Sequence, residues 1–478
     1  MSRPNINICS ILIEIFNILR DDKASLFNLL LVNKRISEMI VPILWDNPFK
    51  YCKTYKVQKS NHFIIQTYIK CFKEEERDLI FKQIKEIEII NPYDETSPLL
   101  FEYVKYLNEF NIRDLKKAVI LWFEIFKEEN DLKYCENNDS DFEKHIIHSI
   151  MRQCRILYCL DWNICLDDEE LLEIMRPKIK KLSNLTLYYD NKFNFKIAKR
   201  NLEFFKNHCQ KLSSLKLDSY HNEFTKYLIS FVESNNDLNE LIFDYRNSHN
   251  KELKNNKKQE DDFNDLITSN LELRANFLTK VVLIKFNLSN IPFDYIENCI
   301  NLEILVLRYN KGLELEDNDL FTSFNDLKYL DSSFNEWSSK VDISIIKKAG
   351  NSLSSLTIGE NKPSQTINDD TLSVLAQSCP NINSLSISGI AKYGYNMVFS
   401  YLKYFRLVTL KVSQNRKKGT IMYSHDLLNY IENEESLSTL GIGKNDDYWE
   451  FFCYRDKFTD ILKKHNVRLE PYVYRHYY

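Results

Sequence analysis

Three groups of residues in this chain have types that do chemistry elsewhere. Gly441-Ile442-Gly443-Lys444 looks like part of a phosphate-cradling loop, but it lacks the Gly-x-x-x-x-Gly-Lys-Ser/Thr spacing that wraps backbone amides around a phosphate. His145 and His148 lie near Cys154, yet no Cys-x-x-Cys pair or second ligand cluster accompanies them. Asp167-Asp168-Glu169-Glu170 reads as the acidic first turn of a helix, where carboxylates favour the positive end of the macrodipole. No Gly-x-Ser-x-Gly elbow occurs. Nothing in the pattern organises a nucleophile, a base and an oxyanion site. The expectation is a non-catalytic chain that needs no cofactor and no metal.

Composition narrows the class further. The chain has 478 residues, 44% hydrophobic and 28% charged, a globular balance. Its formal net charge of -4 gives no basic excess for wrapping a phosphate backbone, so no nucleic-acid partner is expected. Met1 to Leu19 is interrupted by Glu14 and Asn17 and does not read as a secretory signal. No window reaches the roughly 18–20 apolar residues of a membrane span. Arg475-His476-Tyr477-Tyr478 carries no lipidation signal. The 11 cysteines, an odd number, are expected as reduced thiols in a cytoplasmic or nuclear setting.

Ile8, Ile11, Leu12, Ile15, Phe16 and Leu19 fall on one face of a helix. Asp21-Asp22 ends it, and Ser25 is a fair N-cap for a second helix through Leu26, Leu29, Leu30 and Ile36. Met39, Ile40, Ile43, Leu44 and Trp45 continue the apolar content to Pro48. About fifty such residues rarely make a stable core alone, so they must pack on the rest of the chain or on a partner.

These residues resemble the F-box. Leu12, Ile15 and Phe16 match the family's Leu-x-x-Ile-Phe, and Asp22 with Ser25-Leu26 matches its Asp-x-x-Ser-Leu turn. Leu31-Val32-Asn33-Lys34-Arg35 and Val41-Pro42-Ile43-Leu44-Trp45 match two further stretches, the second common in fungal members. Asn7-Ile8 stands where Leu-Pro is usual, and Ile36 where a Trp is usual. The resemblance implies docking on a Skp-type adaptor of a cullin–RING ubiquitin ligase. It implies that Ile8, Ile11, Leu12, Ile15, Phe16, Leu19, Leu30, Pro42 and Trp45 form the adaptor-binding set. It also implies catalysis by proximity rather than by side-chain chemistry in this chain.

From about residue 150 a Leu-x-x-Leu-x-Leu core recurs. First positions are Leu182, Leu212, Leu238, Leu278, Leu302, Leu327, Leu353, Ile382, Leu407 and Leu437. Their spacings are 30, 26, 40, 24, 25, 26, 29, 25 and 30 residues, mostly in or just above the range of about 20–29 for leucine-rich repeats. Leu157-x-x-Leu160-x-Trp162 and Ile84-x-x-Ile87-x-Ile89 look like degenerate members. Cys154, Cys209, Cys299 and Cys379 each sit three residues before a first position, where Cys serves as a small buried hydrophobe.

The sequence therefore predicts an α/β chain, a helical F-box followed by a leucine-rich-repeat solenoid with a parallel sheet on its concave face and helices on its convex face. The expected divisions are residues 1–50 for the F-box, 51–150 for a helical connection with one or more degenerate first repeats, and 151–478 for the repeats. A charged stretch at 245–275 and a polar one from Glu128 to Asp141 read as exposed loops. Between the inward-pointing positions of each core one residue faces the concave wall. Most are polar, but Ile242, Val282 and Val306 are not, and Ile284 and Ile304 fall beside them. These five are expected to form an exposed apolar stripe that binds a protein substrate.

Overall fold

The last two leucines of each core, two apart, put their side chains on one side of a strand, the first joins them from the turn before it, and a neighbouring copy is needed to cover them. The computed structural model describes residues 8–51, 62–84, 99–129, 139–189, 193–218, 221–245, 257–313, 324–360, 369–390, 394–414, 425–434, 436–443 and 455–472. Contacts divide the chain into two units, Met1–Leu212 and Ser213–Tyr478.

The first unit opens with three helices, α1 (Ile8–Ile18), α2 (Lys23–Leu30) and α3 (Lys34–Leu44). Asp22 caps α2 by accepting from the Ser25 amide at 3.1 Å, and Asn33 caps α3 by accepting from the Ile36 amide at 2.9 Å. Pro42 sits inside the last turns of α3, with Trp45 as its C-cap. Phe16, Leu26 and Ile40 form the buried centre of this bundle, and Leu12, Leu19, Leu29, Leu30, Ile36, Met39, Ile43 and Leu44 pack around them.

Among the described residues three parallel strands follow in this unit, β1 (Glu109–Asn111), β2 (Cys159–Asn163) and β3 (Asn184–Tyr188). Each pairs with the next in register, Phe110 with Leu160 and Leu160 with Leu185. The β1 core is Leu107-x-x-Phe110-x-Ile112, all buried. This repeat was not among those read from the sequence; of the expected member at Ile84–Ile89, Ile84 ends the helix Glu74–Ile84 and residues 85–89 lie outside the described ones.

Among the described residues the second unit holds ten parallel strands: β4 (Ser214–Leu217), β5 (Glu240–Asp244), β6 (Lys280–Ile284), β7 (Ile304–Arg308), β8 (Tyr329–Asn335), β9 (Ser355–Glu360), β10 (Ser384–Ile390), β11 (Thr409–Gln414), β12 (Thr439–Gly443) and β13 (Arg468–Tyr472). Each pairs with its successor, and the second core positions Leu215, Leu241, Val281, Leu305, Leu330, Leu356, Leu385, Leu410 and Leu440 share one row. The fold is thus the expected α/β repeat architecture. The last strand escapes the motif because Asn466, with φ of 54°, and Pro471 occupy positions that are apolar in other repeats.

A hydrogen-bond step recurs at the entrance to the strands. One backbone carbonyl accepts from two successive amides of the following repeat, as Asn239 does from Thr279 at 2.9 Å and Lys280 at 3.2 Å. In the first unit Asn108 does the same for Tyr158 and Cys159, and Tyr158 for Ser183 and Asn184. The series begins at Asp46, whose carbonyl accepts from Asn108 and Glu109, both at 3.1 Å. Trp45 therefore stands at the place of a first leucine.

The charged stretch at 245–275 requires a correction. Residues Lys257–Arg274 form a helix rather than a loop. Leu266, Ile267 and Leu271 are fully buried along one side, and this apolar stripe outweighs the charge of its first turns. The 40-residue spacing accommodates that helix. Likewise Glu128 and Glu129 end the helix Ile112–Glu129, and Asp139 to Asp141 begin the helix Asp139–Gln153. Residues 246–256 and 130–138 lie outside the described ones.

Candidate functional site

The three-helix module separates the predicted adaptor set into two groups. Phe16 is buried at 3% exposure, and Leu12, Leu19 and Leu30 pack against it, so these four shape the module from within. Trp45 packs its ring on Tyr103 at 4.4 Å and Tyr68 at 5.4 Å, and Pro42 is half-buried. Ile11 and Ile15 instead point outward, each 44% exposed. Ile8 opens α1, but its side chain lies outside the described residues. The predicted adaptor set left out Ile13, Ile18, Phe27, Leu31 and Val32, which are exposed large apolar side chains on the same module, although Leu31 and Val32 belong to a quoted motif. Their signal was available for Ile18, which follows Ile11 and Ile15 at helical spacing.

Polar contacts fix this module to the first strand. The Arg20 guanidinium pairs with the Asp46 carboxylate and lies 3.5 Å from Glu109 Oε1. Asn108 Nδ2 donates to Asp46 Oδ1 at 2.9 Å, and Asn47 Nδ2 donates to Glu109 Oε2 at 2.9 Å.

In the second unit, register brings the predicted stripe together. Ile242, Val282 and Val306 are direct cross-strand partners, as are Lys280 and Ile304 on one side of that row and Ile284 and Arg308 on the other. They form an apolar cluster separate from the leucine rows, joined by Tyr309 and Tyr329. The expected exposure needs correction: Val282, Ile284 and Val306 are 7%, 5% and 8% exposed. β-Branched side chains on strands about 4.8 Å apart cover one another. Ile242 and Ile304 remain partly open.

Charges flank this cluster. Arg308 Nε donates to Asp331 Oδ2 at 2.6 Å, and Ser333 Oγ donates to Asp331 Oδ1 at 2.6 Å, which satisfies a carboxylate with no exposure at all. On the other flank Lys216 Nζ lies 3.6 Å from Asp218 and 3.9 Å from Asp244. The arrangement suits an apolar segment with polar neighbours.

Two asparagines beside the cluster were also missed. Asn310 Nδ2 donates to the Leu283 carbonyl at 2.9 Å while its Oδ1 accepts from the Phe286 amide at 2.8 Å. Asn335 Nδ2 donates to the Leu307 carbonyl at 2.7 Å, and its Oδ1 accepts from the Asn310 amide at 2.8 Å. The residues just before Phe286, Asn310 and Asn335 are Lys285, Tyr309 and Phe334, all at positive φ. The three turns are built alike.

Of the groups named at the outset, Asp168, His148 and Cys154 have structural contacts. Asp168 caps the helix Glu169–Met175 by accepting from Leu171 at 3.0 Å, and its other oxygen bonds His148 Nε2 at 2.8 Å. Cys154, Cys209, Cys299 and Cys379 are buried, and burial pushes their thiols up to about 11 for the first and about 12 for the others. Among the described residues no group of three His, Cys, Asp or Glu is placed to hold a metal, and no helix is long and apolar enough to cross a membrane.

No family model matches the sequence, and no curated protein matches it. Among solved structures 59 chains match. One is the leucine-rich repeat-containing protein LegL7 from Legionella pneumophila, at 14% identity and TM-score 0.37 over 65% of this chain and 89% of that one. Another is from the Rad7–Elc1 complex in yeast, at 14% identity and TM-score 0.37 over 88% of this chain and 97% of that one. A third is from a TLR13–ssRNA13 complex, at 14% identity and TM-score 0.30 over 70% of this chain and 42% of that one.

Proposed function

We propose that this chain is the substrate-recognition subunit of a Skp–cullin–F-box ubiquitin ligase, with residues 1–50 as the F-box and the repeats as the substrate receptor. One observation carries the reading. A three-helix module with a closed core leaves Ile11, Ile15, Ile18, Phe27, Leu31 and Val32 exposed, more apolar surface than so small a module shows without a partner. The F-box motifs occupy the same helices. Ile11 and Ile15 touch the adaptor, and Phe16, Leu12, Leu19 and Leu30 hold the helix that presents them.

The substrate is a protein held through the cluster of Ile242, Val282, Ile284, Ile304 and Val306, entered at the half-open Ile242 and Ile304. The ligase works by holding its target near a charged ubiquitin-conjugating enzyme, which raises effective concentration and asks no bond-making of this chain. Its compartment is the cytoplasm or nucleus. Co-purification with a Skp-type adaptor tests the reading, and loss of the complex in Ile15→Asp is expected. An unmodified chain that captures no adaptor overturns it and leaves a repeat scaffold without a ligase.

A further inference from the structure

The residues leading into β2, β3 and β4, all of them within Met1–Leu212, carry a pattern that neither the core nor the proposed adaptor contacts use. Immediately before the first core positions stand Arg155-Ile156, Lys180-Lys181 and Gln210-Lys211. Arg155, Lys180, Lys181 and Lys211 are all exposed. None of the four makes a hydrogen bond or ion pair among the described residues. Cations do accumulate at helix C-termini, where they meet unpaired carbonyls. Here that task is done by Lys178, whose ammonium donates to the carbonyls of Arg152, at 3.1 Å, and of Cys154.

Equivalent positions in the second unit provide a control. Asp237, Phe277, Asn301, Asp326, Ser352 and Asn381 precede the first core positions of six successive repeats and none is a cation, whereas the next repeat has a single one, the exposed Arg406 before Leu407. Repeat architecture alone therefore does not demand charge at this place. It is concentrated in three consecutive repeats, in a chain whose net charge is -4.

We propose that this strip is a docking site for an extended, acidic segment of a partner protein. Neighbouring strands stand about 4.8 Å apart, so three repeats set the cations across roughly 10–15 Å. An extended peptide repeats its same-face side chains about every 7 Å, so two or three alternate carboxylates reach the strip. Tyr158, 42% exposed beside the strip, offers a ring for the peptide's apolar neighbours. A nucleic acid fits less well, because four cations neutralise few phosphates and one ring makes no stacking platform. This site is separate from the apolar cluster and from the adaptor contacts.

The test uses the full chain and fluorescence anisotropy with a labelled ten-residue peptide of alternating Glu and Ser. A Gln/Ser peptide and a ten-nucleotide oligouridylate serve as comparisons. The Glu peptide is expected to bind at low salt and to weaken at least tenfold in R155E/K180E/K181E/K211E. The milder K180Q/K181Q is expected to weaken it about threefold, with unchanged circular dichroism and an unchanged melting curve. Adaptor capture should survive in both variants, which keeps this result distinct from failure of the ligase reading. No binding of the Glu peptide, equal binding by the variants, equal binding of the Gln peptide, or tighter oligouridylate binding through the same residues would each overturn the proposal.

Discussion

Ile15 and Phe16 are neighbours in the chain and opposites in exposure: Ile15 is 44% exposed on α1, while Phe16 is 3% exposed against Leu26 and Ile40. A motif that names both residues together conceals two roles. Ile15→Asp should change stability by no more than about 0.5 kcal/mol and abolish adaptor capture. Phe16→Ala should cost about 3–5 kcal/mol through the cavity it leaves. Thermal melts paired with adaptor pull-down separate the two outcomes.

The Asn310 side chain, with no exposed surface, ties its repeat to the one before, while its backbone amide donates to Asn335 Oδ1 of the one after. Asn310→Ala leaves the Phe286 amide and the Leu283 carbonyl without their partner. A loss of roughly 2–4 kcal/mol is expected from two unsatisfied buried groups. Urea unfolding checks it, and amide exchange should quicken first around residues 283–311.

The Asp342 carboxyl accepts from Ser332 Oγ at 2.5 Å and from Trp337 Nε1 at 3.1 Å, yet desolvation raises it from 3.8 to about 6. A raised acid is held protonated by the fold, so its contribution to stability is full below pH 3.8. It declines as pH rises toward 6, by up to about 2–3 kcal/mol. Asp342→Asn keeps an acceptor and removes the ionisation. Its melting temperature should exceed that of the unmodified chain at pH 7, and the difference should vanish below about pH 4.

Cys209, Cys299 and Cys379 are buried with thiols near 12, so alkylation by iodoacetamide at pH 8 should be slow in the folded chain. Half-buried Cys165 should react sooner. Mass spectrometry of tryptic peptides, with and without denaturant, reads the contrast.

The repeat cores were legible because leucine at spacings of three and two must be covered by a neighbour. Where that residue type gave way the reading stopped, as at Phe110 and Ile112 in β1 or Pro471 in β13. The helix Lys257–Arg274 was hidden by its charge, since Leu266, Ile267 and Leu271 come only after a long polar run. At the candidate site, alternation named the stripe but not its cover. Exposure depends on cross-strand neighbours and on Tyr309 and Tyr329, which lie outside one repeat's pattern. The asparagine steps were overlooked because they follow the core motif, three residues past its last apolar position.

Asp46 lends its carbonyl to Asn108 and Glu109. A chain truncated before residue 47, the usual way to make an adaptor-blind control, would thus strip the first sheet edge as well as the hook. Bare amides at a strand edge invite pairing with another molecule. Such a deletion would report self-association and lost substrate binding alike, whereas the point variant Ile15→Asp leaves the edge closed.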